Sequence, residues 1–202
     1  MNEEQILQEF KDAEAILFGH FILSSGLHSP TYLQCARVLM DAGRSGRLCR
    51  ELAERLKLWM KDHSQQFDII VSPAMGGVVV GYEMGRQLGL PAIFCERVDG
   101  VFVLRRGFSL EEGQRVLVME DVVTTGKSSM EAVACIKQYG AVSIAAASLI
   151  DRRSHNDVSL TLPLISLLKL DVPTYKPDAL PDELKAIPAV KPGSRFLKQK
   201  AS

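Results

Sequence analysis

Residues Arg115 to Met130 read RVLVMEDVVTTGKSSM, and few architectures can accommodate them. The run Val116, Leu117, Val118, Met119 is apolar at every position and rich in β-branched side chains, which suits a short strand buried on both faces of a sheet. It leads straight into two adjacent carboxylates, Glu120 and Asp121, and then into a polar turn of Thr124, Thr125, Gly126, Lys127 and Ser128. A helix-compatible run, Ser129 to Tyr139, follows at once. The first turn of a helix presents amides without intrahelical partners and the positive end of the helix dipole, so this strand, turn and helix make a place for an anion, phosphate above all.

The two acids constrain that anion, because they would repel a phosphate placed directly on them. A ligand with a phosphate at one end and hydroxyls or a metal at the other removes the conflict, and hydroxyls donate well to carboxylates. A phosphorylated sugar has both parts. The run is not a nucleotide-binding P-loop, since the glycine required five residues before Gly126 is Asp121, and no GxGxxG occurs anywhere in the chain.

Composition narrows the setting. A length of 202 residues predicts one domain with a real core, and 47% hydrophobic with 24% charged residues is ordinary for a globular protein. The formal net charge of zero offers no general attraction to nucleic acid or to an anionic membrane surface. Cys35, Cys49, Cys95 and Cys135 are scattered, with no CxxC pair and no histidine at metal-ligand spacing, so they read as reduced, mostly buried thiols. The N-terminus is acidic and amphipathic, unlike a secretion signal, and no apolar run reaches membrane-span length, so the expected location is cytoplasmic.

Along the chain, Asn2 to Phe18 predicts a helix from the spacing of Ile6, Leu7, Phe10, Ile16 and Leu17. Gly19 to Leu39 reads as two short β-like runs around a turn at Ser24 to Pro30. Ala42 to His63 is an amphipathic helix with Trp59 on its apolar stripe, expected in the core. A strand at Asp68 to Ser72, the turn SPAMGG, a helix from Gly77 to Leu88 and a Gly-Leu-Pro stop come next. Ala92 to Glu96 is a further strand, and Asp99-Gly100 favours a hairpin whose return run, with Val101 and Val103, leads to Arg105 and Arg106. Ala141 to Ile150 reads as a buried strand ending in Asp151, Arg152 and Arg153, the last expected as a surface charge. Leu160 to Leu170, which contains Pro163, predicts an edge strand. Strand ends at Ser72, Asp121 and Asp151 would then deliver polar groups to one edge of a parallel sheet, where ligands collect in open α/β folds.

The acidic pair followed by VVTTGKS resembles the 5-phosphoribosyl 1-diphosphate (PRPP) motif of the type I phosphoribosyltransferases, and FILSSGLHSPTYLQ is similar to the N-terminal hood that covers the base in orotate phosphoribosyltransferases. The resemblance implies an α/β fold, a mainly parallel twisted sheet flanked by helices with a small N-terminal hood. A single domain would span 1–202, with helix and hood at 1–40, the α/β core at 41–172 and an extension at 173–202. It further implies transfer of the phosphoribosyl group of PRPP to orotate, giving orotidine 5′-monophosphate and diphosphate on the way to UMP, with Mg2+ held mainly by PRPP and a homodimer sharing its sites.

Carried over residue by residue, PRPP would meet Arg97, the run Glu120, Asp121, Val122, Val123, Thr124, Thr125, Gly126, Lys127, Ser128, and the diphosphate turn Ala74, Met75, Gly76, Gly77. Glu120 and Asp121 would hold the ribose hydroxyls, Thr125 to Ser128 the 5′-phosphate, and Thr124 both ligands. Arg152, whose planar donor fork suits a carboxylate or carbonyls, would orient orotate together with Ser24 and Ser25. Glu120, Asp121 and Arg97 are the expected catalytic residues. The family's mobile loop falls on 97–110, where only Arg97 matches; its lysines and histidine have no counterparts, and Arg105 or Arg106 would supply charge instead. Met75 and Gly76 stand where familiar members carry a lysine, and Ser24 where they carry another. Two other readings share the motif: a phosphoribosyltransferase for a purine base, and a PRPP-sensing regulator without catalysis.

Overall fold

The computed structural model describes residues 1–23, 26–153 and 160–192. In chain order the elements are α1 (Glu3–Asp12), β1 (Ile16–Ile22), β2 (His28–Leu33), α2 (Cys35–Leu39), α3 (Ala42–Asp62), β3 (Ile69–Pro73) and α4 (Gly76–Leu88). They continue with β4 (Ala92–Val98), β5 (Val101–Leu104), β6 (Arg115–Val123), α5 (Lys127–Gln138), β7 (Val142–Asp151), β8 (Leu164–Lys169) and α6 (Asp182–Lys185).

The apolar run before the acids lies, as β6, inside a six-stranded sheet of order β5-β4-β3-β6-β7-β8. Every neighbouring pair is parallel except β4 with β5, which form the hairpin predicted at Asp99-Gly100; both turn residues have positive φ, as a primed two-residue turn requires. Side chains alternate along β6. Leu117 and Met119 pack with Val80 and Met84 of α4 and with Leu48, Leu52 and Leu56 of α3, whereas Val116 and Val118 pack with Ala132 and Ile136 of α5. A strand sandwiched between two helical layers must be apolar on both sides, which accounts for the unbroken run.

Chain direction across the sheet reverses between β3 and β6: from β3 the chain steps to β4 on one side, and β6 starts the series that continues to β7 and β8 on the other. Such a reversal parts the loops that follow the strands and leaves a crevice at their carboxyl ends. The β1 and β2 hairpin forms a separate two-stranded sheet, with Ile16 opposite Leu33 and Ile22 opposite His28. The four cysteines are buried free thiols.

Three expectations change. The N-terminal helix stops at Asp12, and Ile16 to Phe18 belong to β1. The helix ends at a left-handed Glu14, φ 49°, where the Ala15 amide folds back onto the Phe10 carbonyl at 2.9 Å; Arg37 braces this end, its Nε donating to the Ala13 carbonyl at 3.0 Å and its Nη2 to Glu14 at 2.6 Å. Cys35 to Leu39, read as the end of a β-like run, forms α2, which buries Cys35, Val38 and Leu39. Trp59 packs at the margin of the core, half-buried, stacked between the rings of His63 and Phe67 at 4.6 and 6.0 Å.

Candidate active site

The crevice at the β3/β6 reversal is a cleft of about 860 Å³. One wall is the β6 turn from Glu120 to Ser129, the facing wall is Pro73, Ala74 and Gly76, and the hairpin of β1 and β2 closes one end with Leu23, Leu27 and Tyr32.

Glu120 and Asp121 are neighbours in sequence but not in direction, because consecutive strand residues point to opposite faces. Glu120 follows Val116 and Val118 to the α5 face, where it is buried and accepts a 3.2 Å hydrogen bond from Ser129 Oγ. Burial first, and the charge of Asp121 second, push its carboxyl up to about 8. Asp121 follows Leu117 and Met119 to the α4 face. Its Oδ1 accepts from the Val122 amide at 2.9 Å, and burial raises its carboxyl above the usual aspartate range. A Cβ on Gly76 would stand 2.8 Å from Asp121 Oδ1, so only glycine lets the α4 start come this close to the acid. Gly77 lies beneath, where a Cβ would meet the Met119 carbonyl oxygen at 2.9 Å.

Both helices that start at the cleft lack a side-chain cap. The position before α5 is Gly126, with φ of 80°, and that before α4 is Met75. Thr124, Thr125, Lys127 and Ser128 are exposed around the α5 start, and the Lys127 amide donates to Thr125 Oγ1 at 3.3 Å. Two sets of helix-start amides thus face one cleft, a geometry for a ligand with two anionic groups. In the α4 turn the polar contribution is backbone alone, since the Met75 side chain is 83% exposed and turned to solvent.

Arg97, at the end of β4, lines the cleft; Nη1 donates to the Gly100 carbonyl at 2.8 Å, Nη2 pairs with Glu131 of α5, and the guanidinium lies 4.2 Å from the centre of the Phe102 ring. Arg152, beyond β7, enters from the far side. Its Nη2 donates to Ser29 Oγ at 2.8 Å, tying the sheet to β2, while its buried Nε has no partner among the described residues. Arg106 is engaged elsewhere, paired with Glu96 at 2.9 Å, and neither it nor the exposed Arg105 lines the cleft. Ser24 and Ser25 lie outside the described residues. Arg153 is not a free surface charge: its guanidinium meets the buried Asp151 at 2.9 and 3.0 Å.

Sequence reasoning passed over Ser129 and Glu131, which hold Glu120 and Arg97. Their only signal is their place in the first turn and a half of the helix behind the turn of Thr124 to Ser128. Among the described residues no three His, Cys, Asp or Glu side chains converge as a metal cage. A divalent cation suits this donor set only if a ligand's own phosphates supply most of its oxygens, with Asp121 nearby.

The profile of the Phosphoribosyl transferase domain matches residues 39–168. The orotate phosphoribosyltransferase of Rhizorhabdus wittichii is 60% identical over 195 residues, covering 96% of this chain and 97% of that one. That of Sphingopyxis alaskensis is 53% identical over 195 residues, covering 96% and 98%. Among solved structures, the orotate phosphoribosyltransferase of Aeropyrum pernix superposes with a TM-score of 0.64 at 24% identity, covering 81% of this chain and 93% of that one. The adenine phosphoribosyltransferase of Thermoanaerobacter pseudethanolicus gives 0.57 at 19% identity, covering 69% and 88%, so at this distance the likeness is one of fold and does not separate the bases. The family profile and the two relatives at 60% and 53% identity make this chain a member of the orotate phosphoribosyltransferases, on the type I phosphoribosyltransferase fold.

Proposed function

We propose that the cleft binds PRPP and orotate and transfers the phosphoribosyl group to the base, giving orotidine 5′-monophosphate and diphosphate in the route to UMP. The observation that carries this is the pair of uncapped helix starts facing one cleft with Glu120 and Asp121 between them. The α5 start, with Thr124 to Ser128, takes the 5′-phosphate; the α4 start, from Ala74 to Gly77, takes the diphosphate; the acids take the ribose hydroxyls that join the two.

Displacement at the anomeric carbon releases a strongly anionic group and develops positive charge on the sugar. Asp121, the acid of the α4 face, stabilises that charge, and the amides beside it stabilise the leaving group, both fixed before the reaction begins. Glu120, held by Ser129 and shifted upward by burial, carries its proton near neutrality and can donate to a ribose oxygen as well as accept from it. Arg97 swings from Glu131 toward the diphosphate when the hairpin of β4 and β5 closes, and closure excludes water that would hydrolyse PRPP. Arg152, which lines the cleft, offers the part of its fork not held by Ser29 to the orotate carboxylate. Mg2+ bound to PRPP neutralises diphosphate charge.

The enzyme works as a homodimer in the cytoplasm. Met75, Val79 and Tyr82 support the dimer, as an exposed apolar row at one side of α4 next to the cleft. Light scattering should give a dimer that Tyr82→Glu dissociates. The function is tested by the ultraviolet absorbance of orotate with protein, PRPP and Mg2+, with hypoxanthine, xanthine and adenine in parallel. Loss of orotate that requires PRPP and Mg2+ is expected; turnover of a purine instead, or PRPP binding with no base consumed, would overturn it.

A further inference from the structure

The hairpin of β1 and β2 carries a histidine pair that the reaction does not use. His20 is 5% exposed; its Nδ1 lies 2.8 Å from the Ile187 carbonyl oxygen and its Nε2 lies 2.5 Å from His28 Nδ1. A carbonyl oxygen only accepts, so His20 Nδ1 carries the hydrogen and donates. In neutral His20, Nε2 is then the acceptor, and His28 Nδ1 must donate to it. One tautomer of each ring satisfies both contacts.

The same residues are where the chain beyond β8 returns to the hairpin. The His28 amide donates to the Tyr175 carbonyl at 2.8 Å, and the His28 carbonyl accepts from the Tyr175 amide at 2.9 Å. On the other strand, the Val190 amide donates to the His20 carbonyl at 2.8 Å and the Ile22 amide to the Val190 carbonyl at 2.9 Å. Between these two attachments Leu184 of α6 is buried. Val172, Thr174 and Pro192, from the two ends of this segment, line the cleft together with Tyr32.

We propose that His20, through His28 and Ile187, is a positioning residue that clamps segment 172–192 onto the hairpin, and that this segment forms a wall of the base-binding end of the cleft. A flat heterocycle needs apolar surfaces against its faces and directed donors at its edge; Val172, Pro192 and Tyr32 provide the former, Arg152 the latter. The base subsite is thereby assembled from both ends of the chain. This rests on the orotate reading above, and the test separates the two.

His20→Phe keeps a ring of similar size and removes donor and acceptor; His20→Asn retains a donor near Nδ1; His28→Ala removes the second ring from a half-buried position and leaves the first. Steady-state constants for both substrates and hydrogen exchange at the Tyr175 and Val190 amides are measured on each full-length protein. For His20→Phe, KM for orotate should rise about tenfold, as loss of one or two buried hydrogen bonds allows, with KM for PRPP within about twofold. The two amides should exchange faster while those of β6 and β7 keep their protection. His20→Asn should restore most of both, and His28→Ala should show the same pattern in smaller degree. Unchanged exchange in His20→Phe and His28→Ala would overturn the clamp; faster exchange with unchanged KM for orotate would overturn the wall. Wild-type protein that consumes no orotate would sink the functional reading alone, because exchange decides the clamp without turnover.

Discussion

Helices α1 and α3 begin differently from α4 and α5. At α1, Asn2 accepts from the Gln5 amide while the Gln5 side chain accepts from the Asn2 amide, a complete capping box; at α3, Asp41 accepts from the Arg44 amide. The starts of α4 and α5, both at the cleft, have no side-chain cap. A cap would occupy the amides that a phosphate needs and, if acidic, repel it. Among the four helices of ten residues or more, the two away from the cleft are capped by their own side chains and the two at the cleft are not; the short α2 and α6 lack a side-chain cap as well.

The largest test of this division removes the close approach at α4. Gly76→Ala would drive a methyl against the Asp121 carboxylate, and kcat/KM should fall about 100-fold, a loss comparable to that of Asp121→Asn, with KM for PRPP rising. Gly77→Ala should instead lower stability by about 1–3 kcal/mol, because its methyl would meet backbone, seen as a lower midpoint in urea.

Adding negative charge at the open start of α4 is the next test. Met75→Asp places a carboxylate beside those amides, where it favours the free helix dipole and repels an arriving anion, so the melting temperature of the free protein should not fall while KM for PRPP rises about fivefold to tenfold. Met75→Ala, which removes the same side chain without adding charge, separates any loss of packing at the exposed α4 row from the effect of the acid.

Glu120 offers a third. Its carboxyl titrates at about 8 in the folded protein against 4.5 for the free group, so the unfolded chain holds fewer protons across that range and stability falls as pH rises through it. Glu120→Gln should therefore raise the melting temperature by about 3 °C or more above about pH 8, and by nothing below about pH 4.5, as calorimetry of the ligand-free protein would show. The smallest expected effect is at α1: Asn2→Ala should cost about 1 kcal/mol, roughly 2–4 °C in melting temperature, with kcat and both KM values unchanged.

The strand, acids, turn and helix from Arg115 to Gln138 were legible because the signals are contiguous: an apolar run, a change to polar residues, a glycine, then helix formers. The hairpin at Asp99-Gly100 was legible for the same reason. The end of α1 was not. Apolar residues continue at near-helical spacing through Leu17, and the stop is a left-handed Glu14, a residue that seldom takes that conformation, braced by Arg37 more than twenty residues on. Arg153 was likewise misread because its partner, Asp151, is buried only once β7 lies inside the sheet.

Period and polarity along the chain were thus enough to read the central strand β6, the polar turn behind it and the helix that follows, since each depends on neighbours a few residues apart. Packing alone decided that Glu120 meets Ser129 while Asp121 meets Gly76, that Arg152 ties to Ser29 across 123 residues, and that His20 reaches Ile187 across 167. Hydrogen bonds over such separations form only after the sheet and hairpin have been brought together by burial of their apolar faces, and no local pattern encodes them.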